Sequence, residues 1–502
     1  MTEYTNVSDV FKALGTHAAL ADKSGLDVTS PHDGEVIASL VADTQETTAR
    51  KITIAKKAQA AWATVPRVKR EALLEKFAQA LKDEAEKLAA FVHMEAGKTP
   101  TEANGEVAAS AGVIGKTLKD ATLADAGSMS RRKERLPVGV VGLITSFNFP
   151  IAVAHWTMAP AMLAGNGVVW KPSEKTPLVA LGVKTIFDKA MGEHKDLLQV
   201  VIGGREVGEA LVADEQVDMI SATGSVAMGQ AIEKTLATKK NKNIPPILEL
   251  GGNNGVIISD NITKEHLGFA LDAIMGSYLG TTGQRCTNTR RIIVHKKLLD
   301  DTVAGFKQRI QDFMDEHIAH ATVHSANPYG YGPLIDEDSF KRFEHAKEQV
   351  GREGGEILFG KRLFAERLPG AFYVQPALAV MPQQGDIMYT ETFAPILYIV
   401  PYEGKIENAI ALVNAPENAG LVAGIYTQNQ QEADVFATSV QAGHALINPP
   451  KGTGTPAHDM GFGGNKHSGC GEILNAADPL AAFTRRDHFT RIAQNTDIKM
   501  DQ

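Results

Sequence analysis

Cysteine is nearly absent from this chain, which has only Cys286 and Cys470 among 502 residues. Two cysteines are too few for a disulfide framework, so the composition favours a reducing compartment. No apolar run approaches the roughly eighteen residues that a membrane span requires. The amino-terminal segment MTEYTNVSDVFK lacks the basic start and apolar stretch of a secretory signal. We therefore expect a cytoplasmic protein with no membrane partner.

An excess of positive charge is also missing. The formal net charge is −8 and the pI is about 6.0, which argues against a nucleic-acid partner. The fifteen histidines show no metal-ligand clustering, so we predict no metal site. With 43% hydrophobic and 22% charged residues, the chain has the composition of a soluble globular protein. Its length predicts two or three domains.

The pattern of apolar residues predicts the organisation of the chain. Residues 46–97 have helical periodicity, and from residue 138 short β-branched runs alternate with amphipathic helical segments. This alternation is typical of a doubly wound, mostly parallel α/β sheet, and a second α/β stretch follows residue 249. The helical stretch that ends in GTTGQRC is expected to deliver Cys286. Ligands bind such sheets at the carboxyl ends of the strands. The predicted strand ends carry Asn148, Lys171, Gly203, Gly204, Gly224, Ser225 and Glu249.

Two glycine-containing turns and an acidic residue point to a dinucleotide site. The segments VIGGREVG and SATGSVAMGQ each join a strand to a helix, whose free N–H groups can bind a pyrophosphate. In WKPSE, a carboxylate just past a strand end can accept hydrogen bonds from both ribose hydroxyls and repel a 2′-phosphate, which favours NAD over NADP. The alternatives are ordinary turn glycines and solvated charges. The residues concerned are Lys171, Glu174, Gly204, Gly208, Gly224 and Ser225.

Three residues have side chains suited to chemistry on a carbonyl group. Cys286 has polar and cationic neighbours, which suit a thiolate, although a lone cysteine is often a small buried hydrophobe. Arg285 or a helix start could lower the pKa of the thiol. Glu249 lies in the apolar run ILELGGNN, where burial would raise its pKa as a general base requires, or where it could be a satisfied structural carboxylate. Asn148 precedes Phe149 and is either a turn residue or an oxyanion donor.

Seven motifs occur in an order that resembles the NAD(P)-dependent aldehyde dehydrogenase superfamily. They are ITSFNFP, WKPSE, ATGS, LELGGNN, GQRCTNTRR, ETFAP and GFGGNKHSG, from about residue 30 to the end. The antiquitin-like, semialdehyde-oxidising branch is the most similar. The resemblance implies that Cys286 is the nucleophile, Glu249 the general base and Asn148 the oxyanion donor. It further implies oxidation of an aldehyde to the acid through a thiohemiacetal and a thioester.

The resemblance also implies a fold and a cofactor site. The fold would be a Rossmann-like dinucleotide-binding domain, an α/β catalytic domain and a β-hairpin that joins subunits of a homo-oligomer. The dinucleotide-binding domain would comprise residues 1–121 and 141–251, with 456–487 packing back on it. The catalytic domain would comprise residues 252–455, and the oligomerisation element residues 122–140 with 488–502. NAD would be held by Thr145, Ser146, Phe147, Lys171, Glu174, Gly204, Gly208, Gly224, Ser225, Leu250, Glu391 and Phe393.

The substrate pocket is predicted from the same resemblance and from local charge. Phe149, Val153 and Trp156 are spaced to share a helix face that would line the aldehyde tunnel. Further pocket residues would be Arg285, Thr287 and Lys451.

Arg285 and Lys451 could pair with a distal carboxylate, which favours a semialdehyde acid; a structural ion pair is the alternative for Arg285. Antiquitin-like enzymes for aminoadipate semialdehyde carry a glutamate where this chain has Ala109, which argues against that substrate.

Two other functions remain open at this point, a CoA-acylating dehydrogenase and a non-catalytic dinucleotide-binding scaffold. His155 and His444 are predicted to be structural or pocket-lining, and Cys470 is assigned no role.

Overall fold

The computed structural model describes residues 4, 6–16, 25–127, 136–240, 244–317, 331–454, 461–471, 474 and 477–485. In these residues the α-helices are α1 (Val7–Ala13), α2 (Gln45–Trp62), α3 (Arg67–Asp83), α4 (Ala85–Ala96), α5 (Pro100–Gly127), α6 (Ala152–Leu163), α7 (Leu178–Met191), α8 (Arg205–Ala213), α9 (Val226–Leu236), α10 (Lys264–Leu279), α11 (Leu299–His317), α12 (Glu337–Arg352), α13 (Ile406–Asn414) and α14 (Gln430–Ser439).

All the β-strands of the described residues except Pro450–Thr453 form two large sheets and two small pairs. They are β1 (Leu26–Thr29), β2 (Val36–Leu40), β3 (Leu136–Pro137), β4 (Val140–Ile144), β5 (Gly167–Lys171), β6 (Leu198–Val200), β7 (Met219–Thr223), β8 (Ile247–Glu249), β9 (Asn254–Ile258), β10 (Thr289–His295), β11 (Glu356–Phe359), β12 (Ala377–Val380), β13 (Ile396–Tyr402), β14 (Val422–Tyr426), β15 (His444–Ile447), β16 (Pro450–Thr453), β17 (Gly469–Cys470) and β18 (Thr484–Arg485).

The first large sheet has six strands in the order β17-β8-β7-β4-β5-β6. All neighbours are parallel except β17, which pairs antiparallel with β8. Both faces of the sheet are covered: Val141 and Leu143 of β4 belong to one apolar core, and Val140 and Ile144 to another. Two covered faces explain why β4 is a continuous apolar run rather than an alternating one.

The second large sheet has seven strands in the order β11-β12-β13-β10-β9-β14-β15. It is parallel except for the β11–β12 pair. Its strands are also covered on both faces, since Ile257 of β9 faces one core while Val256 and Ile258 face another. The predicted fold class, two α/β units built on mostly parallel sheets, is confirmed.

The helical pattern of residues 46–97 is confirmed as α2, α3 and α4. Thr44 caps α2 through a reciprocal pair of hydrogen bonds with Thr47, Pro66 precedes α3, and α4 ends at Gly97 with φ of 67°. No helix among the described segments combines the length and apolarity that crossing a membrane requires.

The segment predicted as an oligomerisation hairpin, 122–140, differs in part from that prediction. Helix α5 continues to Gly127, so the beginning of this segment is helical. Residues 128–135 lie outside the described residues, and so does the predicted partner strand 488–502. Just after that gap, β3 pairs antiparallel with β18.

Candidate active site

Cys286 lies in the loop between α10 and β10, not on the predicted helix. Helix α10 ends at Leu279, and Thr281 and Thr282 have φ of 50° and 54°, in the left-handed region. The helix can end here because a side chain beyond it donates hydrogen bonds to its last backbone carbonyls. The Asn288 side chain donates to the carbonyls of Ser277, Tyr278 and Gly280.

The Cys286 thiol is partly exposed and lies among apolar side chains. It packs against a cluster that contains Leu421, Val422 and Phe462. Burial, together with the charges of nearby Glu391 and Glu249, raises the pKa of the thiol to about 12, and Arg290 opposes this rise. The cation that acts on the thiol is therefore Arg290 rather than the adjacent Arg285. In the free protein at neutral pH the thiol is protonated.

Glu249 ends strand β8 and approaches the same thiol. Its side chain is buried, and Oε2 has no hydrogen-bond partner among the described residues. Burial without a compensating charge raises the pKa of Glu249 well above its ordinary value. The backbone around it is fixed, because its carbonyl accepts a 3.0 Å hydrogen bond from the N–H of Gly224. Glu249 thus has the raised pKa that a general base requires.

Asn148 follows strand β4 and is buried. Its Oδ1 accepts a 2.7 Å hydrogen bond from the hydroxyl of Ser146. With Oδ1 occupied, the Nδ2 amide is the end of the side chain that can donate to an oxyanion. The next residue, Phe149, lies beside residues 280–288, the loop that carries the predicted nucleophile Cys286 and is called the nucleophile loop below. The Arg285 guanidinium carbon is 5.5 Å from the centre of the Phe149 ring.

The ETFAP segment also lies near the thiol, since the charge of Glu391 acts on it. Glu391 accepts a 3.1 Å hydrogen bond from the N–H of Gly252. Burial raises the pKa of Glu391 to about 7, against the opposing effects of Arg290 and this N–H. Phe393 has φ of 54° and lies edge-on to Phe147, with ring centres 5.9 Å apart. The structure therefore brings together two of the predicted cofactor segments beside Cys286.

Five of the predicted cofactor residues line one pocket of about 370 Å³ at the carboxyl ends of the first sheet; they are Lys171, Glu174, Gly204, Gly208 and Ser225. Lys171 Nζ lies 3.2 Å from Glu174 Oε2. Burial would raise the pKa of Glu174, but the ammonium of Lys171 and other contacts outweigh it and lower the pKa below its ordinary value. The pocket therefore presents an ionised carboxylate.

Three of the predicted cofactor residues, Ser225 of the pocket among them, also make hydrogen bonds within the protein. Thr145 accepts a 2.9 Å hydrogen bond from the indole of Trp170, and the N–H of Leu250 donates to the carbonyl of Ser468 at 2.8 Å. Ser225 caps α9 by accepting from the N–H of Met228.

The predicted substrate residues do not share one helix face. Helix α6 begins at Ala152, so Phe149 precedes it, while Val153 and Trp156 lie on it. The chain turns between Phe149 and the helix at Pro150, which cannot donate a backbone hydrogen bond. Trp156 nevertheless reaches the thiol cluster, with its ring 5.2 Å from that of Phe462.

Arg285 forms the ion pair that was the alternative to a substrate role. Its Nη2 lies 3.0 Å from Glu102 Oε1, and its Nε donates to the hydroxyl of Thr281 at 2.8 Å. Thr287 is tied to β16, because its carbonyl accepts a 2.7 Å hydrogen bond from the hydroxyl of Thr453. Lys451, two residues before Thr453, is exposed.

The sequence patterns did not assign roles to several buried polar residues around the loop. Lys98 and Glu106 form an ion pair whose side chains are each 1% exposed, and Lys98 Nζ lies 4.0 Å from the centre of the Phe149 ring. Arg290 and Asn254 are also buried and contact the nucleophile loop. The available signal was charge within apolar stretches, since Glu106 lies on the mostly apolar helix α5.

Known proteins are similar to this chain over most of its length. The model of the family described as "Aldehyde dehydrogenase family" matches residues 18–488. The chain is 29% identical to the alpha-aminoadipic semialdehyde dehydrogenase of Bos taurus, over 94% of this chain and 86% of that protein. It is 30% identical to a putative aldehyde dehydrogenase family 7 member A1 homolog of Dictyostelium discoideum, over 93% and 91%. A crystal structure of a glyceraldehyde-3-phosphate dehydrogenase from Methanocaldococcus jannaschii, complexed with NADP, is similar with a TM-score of 0.80 and 28% identity, over 93% and 98%.

Proposed function

The chain belongs to the aldehyde dehydrogenase family, and on that premise we propose that Cys286, Glu249 and Asn148 carry out its oxidation of an aldehyde to a carboxylic acid. The observation that carries this assignment is that Glu249, which is buried with Oε2 unpartnered among the described residues, lies close enough to the Cys286 thiol for its charge to raise the pKa of the thiol. Neither side chain alone would indicate this chemistry, because lone cysteines and buried glutamates are common.

The first step is addition of sulfur to the carbonyl carbon. An aldehyde loses hydride only once an alkoxide is present to expel it, so a nucleophile must add first. Because burial keeps the thiol protonated at neutral pH, its proton has to pass to a base as the C–S bond forms. The Nδ2 group of Asn148 donates to the resulting oxyanion, a contact whose loss typically costs about a hundredfold to a thousandfold in rate.

The second half of the reaction removes the acyl group from sulfur. When bound in the site, NAD would supply the acceptor for the hydride that leaves the substrate carbon, with Glu391 and Phe393 holding its nicotinamide end beside Cys286. Glu249 then takes a proton from water, and the hydroxide attacks the thioester carbon, releasing the acid and the thiolate. The raised pKa of Glu249 suits this role, since a base is most effective when its pKa lies near the working pH.

The family uses NAD(P), and we propose that this enzyme prefers NAD. The pocket residues fit a dinucleotide: Ser225 lies at the start of α9, where free N–H groups favour a pyrophosphate, and Glu174 supplies a ribose acceptor. An ionised Glu174 would repel the 2′-phosphate of NADP. Glu391 and Phe393 would contact the nicotinamide ribose and ring, with Phe147 opposite Phe393.

For the substrate we propose a semialdehyde acid, in line with the related semialdehyde dehydrogenase of Bos taurus. The positive charge of Arg285 is already matched by Glu102, which leaves the exposed ammonium of Lys451 as the cation for the distal carboxylate. Ala109 in place of a glutamate argues against aminoadipate semialdehyde itself. Phe149, Val153 and Trp156 would supply the apolar wall of the tunnel.

The domain organisation also belongs to this proposal. A cofactor domain of residues 1–121 and 141–251, with 456–487 packing on it, would work with a catalytic domain of residues 252–455. We further propose that the enzyme is a cytoplasmic homo-oligomer.

The test is reduction of NAD, followed by absorbance at 340 nm, with short-chain, aromatic and semialdehyde substrates. We expect turnover with semialdehyde acids, its loss in Cys286→Ala with retained NAD binding, and its retention in Cys470→Ala, the control for removal of a thiol. No turnover with any aldehyde contradicts the proposal. Strict dependence on coenzyme A would instead indicate an acylating dehydrogenase.

A further inference from the structure

Arg290 is a buried cation at the junction between the nucleophile loop, which carries the Cys286 thiol, and the ETFAP segment. It is the second residue of β10, four positions after Cys286, and is 1% exposed. Removing a guanidinium from water is costly, so such a residue persists only where several partners compensate for the loss of hydration.

The partners of Arg290 come from both loops. Its Nη1 donates to the carbonyls of Gly283 at 2.6 Å and Ala394 at 3.0 Å. Its Nη2 donates to the carbonyl of Arg285 at 3.1 Å. Gly283 and Arg285 belong to the nucleophile loop, and Ala394 to the ETFAP segment, so one side chain ties the two together.

The backbones of the two loops are in direct contact where Arg290 spans them. Gly283 has φ of 70°, and a Cβ added there would lie 2.5 Å from the carbonyl carbon of Ala394 and the nitrogen of Pro395. No side chain fits at this position. The hydrogen bonds of Arg290 therefore fix a contact that has no room to adjust.

Arg290 also brings charge to the site. Its Nη2 lies 4.0 Å from Glu391 Oε1, and its guanidinium carbon lies 5.6 Å from the centre of the Phe393 ring. The groups that act on the Cys286 thiol are Glu391 and Glu249, which raise its pKa, and Arg290, which lowers it. Tyr398 of β13 also faces Arg290.

We propose that Arg290 is a positioning residue for the dehydrogenase reaction: it holds the nucleophile loop against the ETFAP segment and keeps a fixed positive charge beside the thiol and Glu391. This inference rests on the proposed role of Cys286 as the nucleophile. Two separable effects follow, an electrostatic one on the reactivity of the thiol and a geometric one on hydride transfer.

The neighbouring residue provides a matched control. Arg291 is 2% exposed, but it donates to the carbonyls of Asn253, Leu412 and Val413 and to the side chain of Gln384, away from the loop contact. Arg291 is not among the charges that act on the thiol. Arg290→Met and Arg291→Met therefore remove equally buried cations from adjacent positions with different partners.

The electrostatic effect is tested by the rate at which iodoacetamide alkylates Cys286 in a Cys470→Ala background, with no aldehyde present. At pH 9 Glu391, with its pKa about 7 in the parent protein, is ionised there. We expect Arg290→Met to slow alkylation about tenfold, which corresponds to an increase in thiol pKa of about one unit. In Arg291→Met, Cys286 should be alkylated at the parent rate. A parent rate in Arg290→Met, or equal slowing in both variants, overturns the proposal.

The geometric effect is tested by Arg290→Lys, which keeps the charge but cannot make the same forked set of hydrogen bonds. We expect alkylation within about threefold of the parent, while single-turnover reduction of NAD slows by about tenfold or more. If Arg290→Met does not fold, as judged by its thermal unfolding, Arg290→Gln replaces it as the neutral variant. Equal alkylation rates for the lysine and neutral variants contradict the electrostatic effect. Alkylation needs no aldehyde. If the wild-type protein showed no turnover, the proposed function would be contradicted, but the alkylation rates of the Arg290 variants could still be compared.

Discussion

The Asn254 side chain donates a 2.7 Å hydrogen bond to the carbonyl of Cys286. The same amide group donates to the carbonyl of Asn288 at 2.8 Å, and its Oδ1 accepts from the N–H of Val422 at 3.0 Å. One buried carboxamide thus joins the nucleophile loop to strands β9 and β14. Asn254, the second asparagine of LELGGNN, therefore holds the backbone of Cys286 in place. Glu249, five residues earlier in the same motif, acts on the sulfur of Cys286 through its charge.

Replacing this asparagine should weaken both folding and reactivity. Asn254→Ala leaves buried carbonyl and N–H groups without partners, at a cost of about 2–4 kcal/mol in the free energy of unfolding. We expect this loss in urea unfolding, together with altered alkylation of Cys286. The control is Asn261→Ala, whose exposed amide bonds Glu432, with an expected loss below about 0.5–1 kcal/mol. Equal stability of the two variants would contradict the assigned role.

The buried carboxyl of Glu249 should make stability depend on pH. Its pKa in the folded protein is raised well above 4.5, so the unfolded chain loses this proton first as the pH rises. Stability is therefore lost from about pH 4.5 upward until the folded pKa is reached, by at most about 1.4 kcal/mol per pH unit.

Glu249→Gln removes this dependence, so its stability relative to wild type should increase between pH 5 and pH 7.5 in urea unfolding. Glu407→Gln, at an exposed position of α13, serves as control and should show a constant difference. If the free energy of unfolding of Glu249→Gln differed from that of wild type by the same amount at every pH, burial would not raise the pKa of the Glu249 carboxyl.

Cofactor preference should depend on the charge of Glu174. Glu174→Gln removes the carboxylate that would repel a 2′-phosphate, so the ratio of kcat/KM for NAD to that for NADP should fall by on the order of tenfold. Glu209→Gln is the matched control, because Glu209 lines the same pocket but is exposed and paired with Arg205. If both variants change the ratio equally, Glu174 has no specific role in cofactor choice.

The buried pair Lys98–Glu106 should be essential for stability. Glu106 also accepts hydrogen bonds from the N–H groups of Ile151 and Ala152 at the start of α6. Glu106→Gln leaves the buried Lys98 ammonium without its hydrogen-bonded carboxylate, with only the charge of Glu102 to balance it, at a cost of about 3–5 kcal/mol. The double variant Lys98→Met/Glu106→Gln should lose less than the sum of the single variants.

Urea unfolding of the four proteins of this cycle measures the coupling. The exposed pair Lys341–Glu337 provides the comparison, with an expected effect of Glu337→Gln below about 1 kcal/mol. Additive losses in the Lys98–Glu106 cycle would contradict direct coupling.

The fold could be predicted because its signals are local. Strands such as β4 are apolar throughout because both faces of the sheet are covered. Asn148 lies in the turn after β4, and Glu249 is the last residue of β8. The pocket lined by Lys171 and Glu174 followed from the same rule, because the carboxyl ends of neighbouring parallel strands meet at one edge.

The nucleophile loop could not be predicted, because its shape depends on distant residues. The left-handed Thr281 is held by a 2.7 Å hydrogen bond from its N–H to Glu102, 179 positions earlier. The same carboxylate binds Arg285 and so decides between its structural and substrate-binding interpretations. Nothing in the periodicity of α5 indicates that one of its glutamates meets this loop.

The central claim is that sulfur of Cys286 carries the acyl group and that Glu249 is needed to release it. The most direct measurement is mass spectrometry of Glu249→Gln after mixing with NAD and an excess of aldehyde. We predict a burst of about one reduced cofactor per site, and a peptide containing Cys286 heavier by the aldehyde mass less two hydrogens. Full steady-state turnover of this variant, or an acyl group on any residue other than Cys286, would contradict the account.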